Sequence, residues 1–377
     1  MKNPAALILP CTQTSPRSRA LSRRRFVASA LTSLTCAPSL LRAATIPPLP
    51  NAQLLIGGTL HSIPGQFGEL ATNALTHGLG LNLPIQLSPD IGLDGVKVAN
   101  EFDSNVAADG QTALVVPGSA FIAAQTGDPR THYDFTRWIP LLVAHTASVV
   151  VTRTDTHQDF AHRLRSFFHG RSLKLAVSRP TGNELSALLG LTLLDLHPTP
   201  VSGFATAQDA LQALNAGLVD AVQILPTRGD APLLETLKNL PEGVAPLYHT
   251  GDLSGTPLND IPNFLEVSEQ MRRRPPEGQL FAAWQAVSAG ICTPFAVALP
   301  MLTPPPLVEH WRNACAEAVD DDDMRHWAET YYFSLATGEN AAPFFSRIRP
   351  TPESQLALRR WIAINTPRWR LGQETRL

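Results

Sequence analysis

The sequence has little cysteine and lacks the short motifs that mark common classes of enzyme. Of its four cysteines, only Cys292 and Cys315 lie after residue 43, too few for a disulfide scaffold. The two cysteines could form one disulfide bridge or remain as two buried thiols, and we favour buried thiols. There is no G-x-S-x-G turn, H-E-x-x-H helix, P-loop or C-x-x-C pair. We therefore expect no catalytic residues, no cofactor and no metal, and an enzyme only through an unrecognised triad.

Acidic residues are missing before residue 44, whereas seven basic residues lie there. The run S-R-R-R-F-V at residues 22–27 opens an uncharged stretch that continues to Leu41, and small residues surround Ala43. A basic segment, an apolar segment too short to span a bilayer and small residues behind it are the parts of a secretory signal. We interpret residues 1–43 as an export signal that is cleaved near Ala43.

The paired arginines ahead of Phe26 resemble the twin-arginine leader, S-R-R-x-F with a hydrophobic residue next, which is read by a translocon for folded proteins. An ordinary Sec leader and a basic cytoplasmic tail are the alternatives. A lipid anchor at Cys36 fits poorly, because Thr35 and Ser33 are not what lipidation requires. We expect a free periplasmic protein.

The mature chain is acidic. Its formal net charge changes from −2 to about −9 when the seven basic residues are removed, and nucleic-acid binding needs a basic surface. About 334 of the 377 residues remain, more than one average domain. No later uncharged run reaches the roughly 18 residues of a membrane helix. These features predict a soluble protein of two lobes that binds no nucleic acid, and we expect a monomer.

Short apolar runs alternate with helical stretches along most of the chain. Strands are predicted at residues 52–56, 84–87, 113–116, 173–177, 199–201, 221–225 and 295–299. Helices are predicted at residues 66–77, 92–102, from 119, 160–168, 183–194, 207–215, 232–240, 304–319 and 324–332. Such alternation predicts an α/β fold with mostly parallel sheets, since crossover connections are right-handed.

A long apolar run at residues 141–151, broken by His145, is suited to cross from one lobe to the other. We place lobe 1 at residues 44–147 and lobe 2 at residues 148–277. Residues 278–377 are interpreted as a return to lobe 1 followed by a C-terminal helical extension.

Five segments, in order, resemble the Bug family, the extracytoplasmic solute receptors of tripartite tricarboxylate transport. D-G-Q-T-A-L at 109–114 resembles D-G-Y-T-L-L, and residues 133–140 resemble Y-D-P-x-x-D-F-x-P. Residues 207–222 are similar to A-L-x-D-L-L-x-G-x-V-D, residues 260–266 to D-V-P-T-x-x-E, and residues 298–305 to A-P-x-G-T-P-P. The resemblance covers roughly residues 50–335. It implies a periplasmic-binding-protein type II fold, a small carboxylated ligand and membrane transporter subunits as partners.

The departures from this family lie in the loops expected to hold the ligand. The first loop, P-G-G-x-x-D in the family, is G-G-T-L-H-S-I-P-G-Q at residues 57–66, without the aspartate. The second-lobe loop, S-x-G-x-G-S, is S-R-P-T-G-N at residues 178–183. The arginine- and tryptophan-rich segment after Pro350 has no recognised counterpart. The resemblance therefore carries over the fold more safely than the ligand.

Ligands of open parallel sheets bind beyond the carboxyl ends of the strands. Three loops, at residues 58–66, 117–119 and 178–183, join a strand end to a helix start, where free N–H groups favour an anion. Arg179 adds a bidentate donor. A solvated arginine, and helix capping by Ser119 and Thr181, are the alternatives. The predicted ligand residues are Gly58, Thr59, Ser62, Gly65, Gln66, Gly118, Ser119, Ser178, Arg179, Thr181, Gly182 and Asn183.

Two clusters that invite a metal interpretation are better explained otherwise. His157, His162 and His169 do not share one helical face at ligand distance, which favours a basic surface helix. The acidic run at residues 320–323 lacks the alternation and the glycine of a calcium loop. We interpret it as a negatively charged helix start ahead of Met324.

The sequence thus predicts an exported solute-binding protein whose lobes close by a hinge on a carboxylated ligand and pass it to a transporter. A receptor read by a membrane signalling partner is one alternative. An exported enzyme of unknown reaction and a diverged copy without ligand are the others.

Overall fold

The computed structural model describes residues 49–92, 94–153, 173–225 and 232–377. The interpreted leader, the helix predicted at 160–168 and the three histidines at 157, 162 and 169 lie outside the described residues. The strands are β1 (Gln53–Ile56), β2 (Gln86–Pro89), β3 (Thr112–Pro117), β4 (Ile139–His145), β5 (Ser148–Arg153), β6 (Lys174–Val177), β7 (Thr199–Ser202), β8 (Ala221–Ile224), β9 (Val244–Thr250), β10 (Phe295–Leu299) and β11 (Ser334–Thr337).

Most α-helices of the described residues correspond to predicted ones, with ends shifted by a few residues, but those at Phe264–Arg272, Gln279–Ile291 and Ala341–Arg347 were not predicted. They are α1 (Ile63–Gly78), α2 (Val96–Asn105), α3 (Gly118–Thr126), α4 (Leu185–Leu193), α5 (Ala207–Asn215), α6 (Leu233–Lys238), α7 (Phe264–Arg272), α8 (Gln279–Ile291), α9 (Pro305–Val319), α10 (Asp322–Tyr331), α11 (Ala341–Arg347) and α12 (Pro352–Arg370). Short 3-10 turns lie at Phe135–Arg137 and Gly338–Asn340.

The strands form two sheets, which confirms the predicted α/β fold. The first sheet has the order β11-β4-β10-β3-β1-β2 and the second has the order β7-β6-β8-β5-β9. Both are mixed, whereas mostly parallel sheets were expected. Strands β2, β1 and β3 run parallel in one sheet and β7, β6 and β8 in the other, but β10, β4 and β11 pair antiparallel, as do β5 and its two neighbours.

The antiparallel strands are explained by where the chain enters each sheet. Strand β5 starts where β8 ends, since Val149 pairs with Ile224. Strand β10 starts where β3 ends, since Phe295 pairs with Pro117. A strand that enters a sheet at the carboxyl edge of its parallel strands must run against them. Both carboxyl edges therefore face the junction between the two sheets.

The long apolar run consists of two strands in different sheets. Strand β4 ends at His145 in the first sheet, and β5 begins at Ser148 in the second. Only Thr146 and Ala147 separate them, and both are buried. The Thr146 N–H donates to the Cys292 carbonyl at the end of α8, 2.9 Å away. This two-residue crossing is a direct covalent link between the sheets.

Helices cover both faces of each sheet. On the first sheet, α1, α9 and α10 pack on one face and α2, α3 and α11 on the other. On the second sheet, α5 and α6 pack on one face. The opposite face carries α4, α7, α8 and α12 in one continuous core. Four apolar clusters thus hold the fold together by burial of side chains.

Local capping interactions account for two of the sequence motifs. Asn263 accepts a hydrogen bond from the Glu266 N–H, and the Glu266 side chain accepts one from the Asn263 N–H, so D-I-P-N-F-L-E forms a capping box that begins α7. Asp321 caps α10 by accepting from the N–H groups of Asp323 and Met324. The helix start predicted at the acidic run is confirmed.

Helices α8 and α12 connect elements of the two sheets. Gln125 of α3 is fully buried and donates to the carbonyls of Ala286 and Ile348. Arg359 of α12 donates to the carbonyls of Ala124 and Gln125 at the end of α3. On its other side, α12 contributes Leu358, Trp361 and Trp369 to the core of the second sheet. The two helices thus hold α3 of the first sheet against the second.

Both cysteines of the described residues are free, buried thiols, as favoured from the sequence. Cys315 packs among apolar side chains of α9 and the first sheet. Burial raises its pKa to about 12. Burial also raises the pKa of Cys292, whose Sγ lies 3.4 Å from the Thr250 carbonyl. A thiol with a raised pKa is protonated and unreactive at neutral pH.

Two glycines face each other where α3 meets α8, and they differ in the room around them. A Cβ on Gly118 would lie 2.2 Å from the Gly290 carbonyl oxygen and 2.5 Å from that of Thr293. A Cβ on Gly290 would lie 3.0 Å from Cδ1 of Ile122, the movable end of a side chain. Only Gly118 is obligatory for the close approach of the two backbones.

We predict that Gly118→Ala lowers the free energy of unfolding by about 1–3 kcal/mol, as overpacking against rigid neighbours does. Gly290→Ala is the matched control. It should be neutral or slightly stabilising, because alanine is favoured over glycine in helices by about 1 kcal/mol. Urea unfolding of both variants measures the difference, and equal effects would contradict the packing argument.

Candidate functional site

The three predicted loops lie at the junction edges of the two sheets. The loop after β1 lies against the loop after β3, since a Cβ on Gly57 would be 2.4 Å from Cδ of Pro117. Within the first loop, Ser62 caps α1: its hydroxyl donates to the Thr59 carbonyl at 2.6 Å and accepts from the Gly65 N–H at 3.4 Å. These two hydrogen bonds hold the loop in place, and they occupy the Ser62 hydroxyl both as a donor and as an acceptor.

Three of the predicted glycines have packing reasons independent of a ligand. A Cβ on Gly65 would lie 2.2 Å from the Thr59 carbonyl oxygen, and Gly118 touches the end of α8. Gly182 closes a turn by donating its N–H to the Arg179 carbonyl. Gly58 is buried beside Ser62. Their predicted part in ligand binding stays a prediction.

The Gln66 side chain forms two hydrogen bonds with residues on the first sheet's side of the molecule. Its amide donates to the His61 carbonyl at 3.0 Å, and its Oε1 accepts from Nε1 of Trp327 at 2.9 Å. Trp327 belongs to α10. This anchoring holds the start of α1 against α10, so Gln66 would have to exchange both bonds to reach a ligand.

The loop after β6 binds a carboxylate that belongs to the chain itself. The N–H and the hydroxyl of Ser178 both donate to Oε2 of Glu184, at 3.1 and 2.8 Å. Glu184 is buried and stands at the N-cap of α4. Thr181 and Asn183 are half-buried in the same loop, and Thr181 does not cap α4, contrary to that alternative. The predicted anion position at this loop already accommodates an anion.

Arg179 points from the second sheet's loop to acidic residues of the first sheet's side. Its guanidinium lies 3.6 Å from Oδ2 of Asp94 and 3.9 Å from Oδ2 of Asp128. These ion pairs are longer than direct hydrogen bonds. Arg130 binds the same two carboxylates more closely, at 2.7 Å each. We call Asp94, Asp128, Arg130 and Arg179 the junction cluster.

The junction cluster brings two of the three predicted loops together. Ser119, at the start of α3, donates its hydroxyl to the Asp94 carbonyl at 3.1 Å, so it does not cap α3. Asp94 thus contacts both Ser119 and Arg179. The sequence did not single out Asp94 or Asp128, because each lies in a short polar loop whose partners are distant in the chain.

Charge pairing within the junction cluster shifts the titration of Asp128 and Arg130. Hydrogen bonding to Arg130 lowers the pKa of Asp128, and the charge of Arg179 adds to this effect. Asp128 and Asp94 in turn raise the pKa of Arg130 above its usual value. The nearby Tyr133 hydroxyl donates to the Ala120 carbonyl, and burial raises its pKa. Two carboxylates thus balance two guanidinium groups.

A second feature at the junction is an open cavity of about 830 Å³, which the sequence did not predict. His145 and Thr146 of the strand crossing, the loop after β9 and one face of α8 line it. None of the residues predicted to bind a ligand is among its lining residues. We call it the crossing cavity.

Two histidines of the crossing cavity have perturbed titration. Burial lowers the pKa of both His145 and His249, and the charge of Asp252 opposes this effect at both. His145 also stacks on Phe344, with ring centroids 4.0 Å apart. Hydrogen bonds from Ser254 lower the pKa of Asp252 itself. The imidazoles are therefore neutral at neutral pH, and Asp252 is ionised.

Metal and membrane interpretations find no support in the part of the chain that the structure describes. Its residues include no group of three or more histidine, cysteine, aspartate or glutamate side chains able to hold a metal ion. Among the same residues, no helix combines the length and the apolar composition needed to cross a membrane.

No protein-family model matches the sequence, and no curated protein sequence matches it. Solved structures do. A TctC solute-binding protein from Polaromonas aligns with a TM-score of 0.62 at 13% identity, over 84% of this chain and 99% of that one. The periplasmic binding protein BugD aligns at 0.56 and 13% identity, over 83% and 98% of the two chains. MatC from Rhodopseudomonas palustris, solved with bound malate, aligns at 0.53 and 20% identity, over 83% and 99%.

The chain has the fold of the TctC and Bug solute-binding proteins. This confirms the fold expected from the sequence resemblance, the periplasmic-binding-protein type II fold. At these identities the likeness shows the fold alone.

We predict that acid destabilises the protein through His145 and His249. Because their folded pKa values lie below the ordinary 6.5, the unfolded chain binds more protons than the folded chain as the pH falls through 6.5. The free energy of unfolding should therefore decrease below that pH. The series should end above a pH of about 5, so that carboxylates remain ionised.

Replacement of both histidines by glutamine should make this decrease smaller. Urea unfolding at several pH values measures it, and His61→Gln controls for the loss of an imidazole at an exposed position. A decrease of equal size in the double variant would contradict the assignment.

Proposed function

We propose that the protein is an exported solute-binding protein, a divergent member of the Bug family, that captures a small carboxylated molecule between its two sheets. It would deliver this molecule in the periplasm to a transporter of the tripartite tricarboxylate type. The fold supports this proposal, and MatC, which has the same fold, was solved with malate. We assign no catalytic role to the protein.

Arg179 is the observation that carries the proposal. It lies in a loop of the second sheet and is paired with two carboxylates on the side of the first. A guanidinium that holds carboxylates across the junction can hold the carboxylate of a ligand in the same way. Its present pairs are long, and its side chain is 43% exposed, so a ligand can reach it without unfolding the loop.

The predicted loops supply further donors for a carboxylate. The N-terminus of α3, at Gly118 and Ser119, lies at this junction, and the first N–H groups of a helix have no partner within the helix. The N–H and hydroxyl of Ser178 are bonded to the Glu184 carboxyl group, so Ser178 would have to exchange that partner to bind a ligand. A dicarboxylate could place one group at each sheet.

Hinge motion between the sheets would couple binding to shape. Ligand contacts from both sides exist together only when the loops of the two sheets approach each other, so binding shifts the population towards the closed arrangement. In the structure, the junction cluster makes such contacts with the chain's own charges. A ligand carboxylate would replace Asp94 and Asp128 as the partner of Arg179.

The proposed function predicts stabilisation by carboxylates. A panel of mono-, di- and tricarboxylates and amino acids should contain at least one compound that raises the melting temperature of the purified protein. At a hundredfold excess over its dissociation constant, a ligand adds about 2.7 kcal/mol to stability. If no compound of the panel shifts the melting temperature, the chain is better explained as a diverged copy whose own charges fill the cleft.

The residue that carries the proposal can be tested with the compound so identified. Arg179→Ala should weaken binding roughly tenfold or more, because a hydrogen bond to a charged group contributes about 1.5–3 kcal/mol. The fold should persist, since exposed ion pairs contribute only about 0–1 kcal/mol. Calorimetric titration measures the affinity.

Arg137→Ala is the matched control for Arg179→Ala. Arg137 is also half-exposed and paired with an aspartate, Asp103, at 2.7 Å, but it lies in a 3-10 turn outside the predicted loops. Its replacement should leave the affinity unchanged. Unchanged affinity in Arg179→Ala would remove that residue from the site.

A further inference from the structure

The C-terminal helix α12 has one buried and one exposed side. The buried side contributes Leu358, Trp361 and Trp369 to the core of the second sheet. The other side carries exposed residues at intervals of four and seven, which share one side of a helix: Leu356, Arg360, Ile364 and Leu371. We call this exposed side, together with residues 371–377, the α12 face.

Exposed apolar side chains are concentrated on the α12 face. Ten large apolar side chains are exposed among the described residues, and four of them lie within residues 356–377: Leu356, Ile364, Leu371 and Leu377, each at least half exposed. Leu377 lies beside the helix, because the Arg376 N–H donates to Oδ1 of Asn365 at 2.7 Å. Single exposed apolar residues need no explanation, whereas a group of them marks an interaction surface.

The same surface is basic in an otherwise acidic protein. Residues 350–377 contain five arginines and two glutamates, whereas the chain without its interpreted leader has a formal net charge of about −9. Arg359 and Arg368 are bonded to carbonyl groups of the chain. The other three arginine side chains are exposed and have no hydrogen-bond or ion-pair partner among the described residues: Arg360, Arg370 and Arg376. Three guanidinium groups are therefore available to an anionic partner.

The size and the charge of the α12 face argue against a second copy of the chain as that partner. A stable protein interface buries roughly 800 Å² on each partner and uses about 20–30 residues of each. Residues 351–377 include only 16 exposed residues. Two copies that met through this face would also place arginine against arginine, and like charges repel.

An anionic bilayer surface matches the α12 face in chemistry and in shape. At such a surface, lipid phosphates lie next to acyl chains, so arginines can bind the phosphates while leucine and isoleucine side chains reach the acyl boundary. The exposed side of a helix is convex and fits a flat, deformable surface. The acidic remainder of the chain would be repelled by anionic lipids, which favours contact through this face alone.

We propose that the α12 face docks weakly and reversibly on an anionic lipid bilayer, with α12 lying along the surface. The apolar side chains of the face would enter the interface, and Arg360, Arg370 and Arg376 would bind lipid phosphates. Docking requires no carboxylate ligand, and it would keep a receptor of the proposed function close to a membrane transporter.

The test uses residues 44–377, because the seven basic residues of the leader would themselves bind anionic vesicles. All four apolar cores lie within residues 49–377, so this chain contains every core of the described fold. It should co-sediment with vesicles of equimolar phosphatidylglycerol and phosphatidylcholine, and not with phosphatidylcholine alone. Added salt should weaken this binding.

Two arginines of the face can be tested by charge removal. Arg360→Gln combined with Arg370→Gln should weaken vesicle binding roughly tenfold or more, because each arginine near an anionic surface contributes to binding. The matched control is Lys238→Gln combined with Arg274→Gln, which makes the same change in net charge at exposed positions elsewhere. The control pair should leave binding unchanged.

The apolar part of the face has its own pair of variants. Leu356→Gln combined with Leu371→Gln should also weaken binding, because two side chains no longer enter the interface. Leu218→Gln combined with Leu302→Gln is the control, at comparably exposed positions outside the face. Melting temperatures should stay close to that of the unsubstituted chain in all four variants, since surface substitutions change stability little.

Four results would refute the proposal: no binding to anionic vesicles, equal binding to phosphatidylcholine alone, binding unchanged in both face variants, or equal weakening in the control pairs. Analytical ultracentrifugation tests the other occupant. Self-association that the face variants abolish would identify an interface between copies and would also refute docking on a bilayer. Arg179→Ala should leave vesicle binding intact, so failure of the carboxylate panel and failure of docking are separate results.

Discussion

The crossing from β4 to β5 is the constraint on which the arrangement of the molecule depends. Two residues join the sheets, and the Thr146 N–H is bonded to the end of α8. The loop after β9 packs so closely that a Cβ on Gly251 would lie 2.3 Å from the Thr146 carbonyl oxygen, and its φ of +89° also favours glycine. The sheets therefore meet at the carboxyl edges of their parallel strands, which places the loops after those strands at the same junction.

Much of this fold was predictable because its elements carry strong local signals. The apolar strands and amphipathic helices alternate clearly, and the apolar run at residues 141–151 predicted the crossing between the sheets. Strand β9 and helix α8 were not predicted. Strand β9 includes Pro246 and polar residues, and α8 is buried on two sides, so it lacks the contrast between a polar and an apolar face. The mixed sheets followed from the crossing, not from any local pattern.

The candidate site was predictable only in part. Strand-end loops can be located from glycines and from the order of elements, and Arg179 was identified in this way. Its partners Asp94 and Asp128 come from loops far away in the chain, and no sequence period connects them. The glycines also had a second explanation, since Gly65 and Gly118 are required by backbone contacts alone. A glycine at a strand end is therefore first explained by the close approach of another backbone segment, and only then by contact with a ligand.

Helix α12 makes the order of synthesis matter for folding. Its Leu358, Trp361 and Trp369 complete a core whose other members include β6 and α4, and Thr375 bonds the Pro198 carbonyl. These partners are far apart along the chain, so the second sheet cannot bury its helical face while the ribosome is still translating residues 200–350. Until α12 emerges, α4 and α8 present apolar surface to solvent. The nascent chain is therefore expected to need shielding, by a chaperone or by the ribosome itself, until nearly all of it has been made.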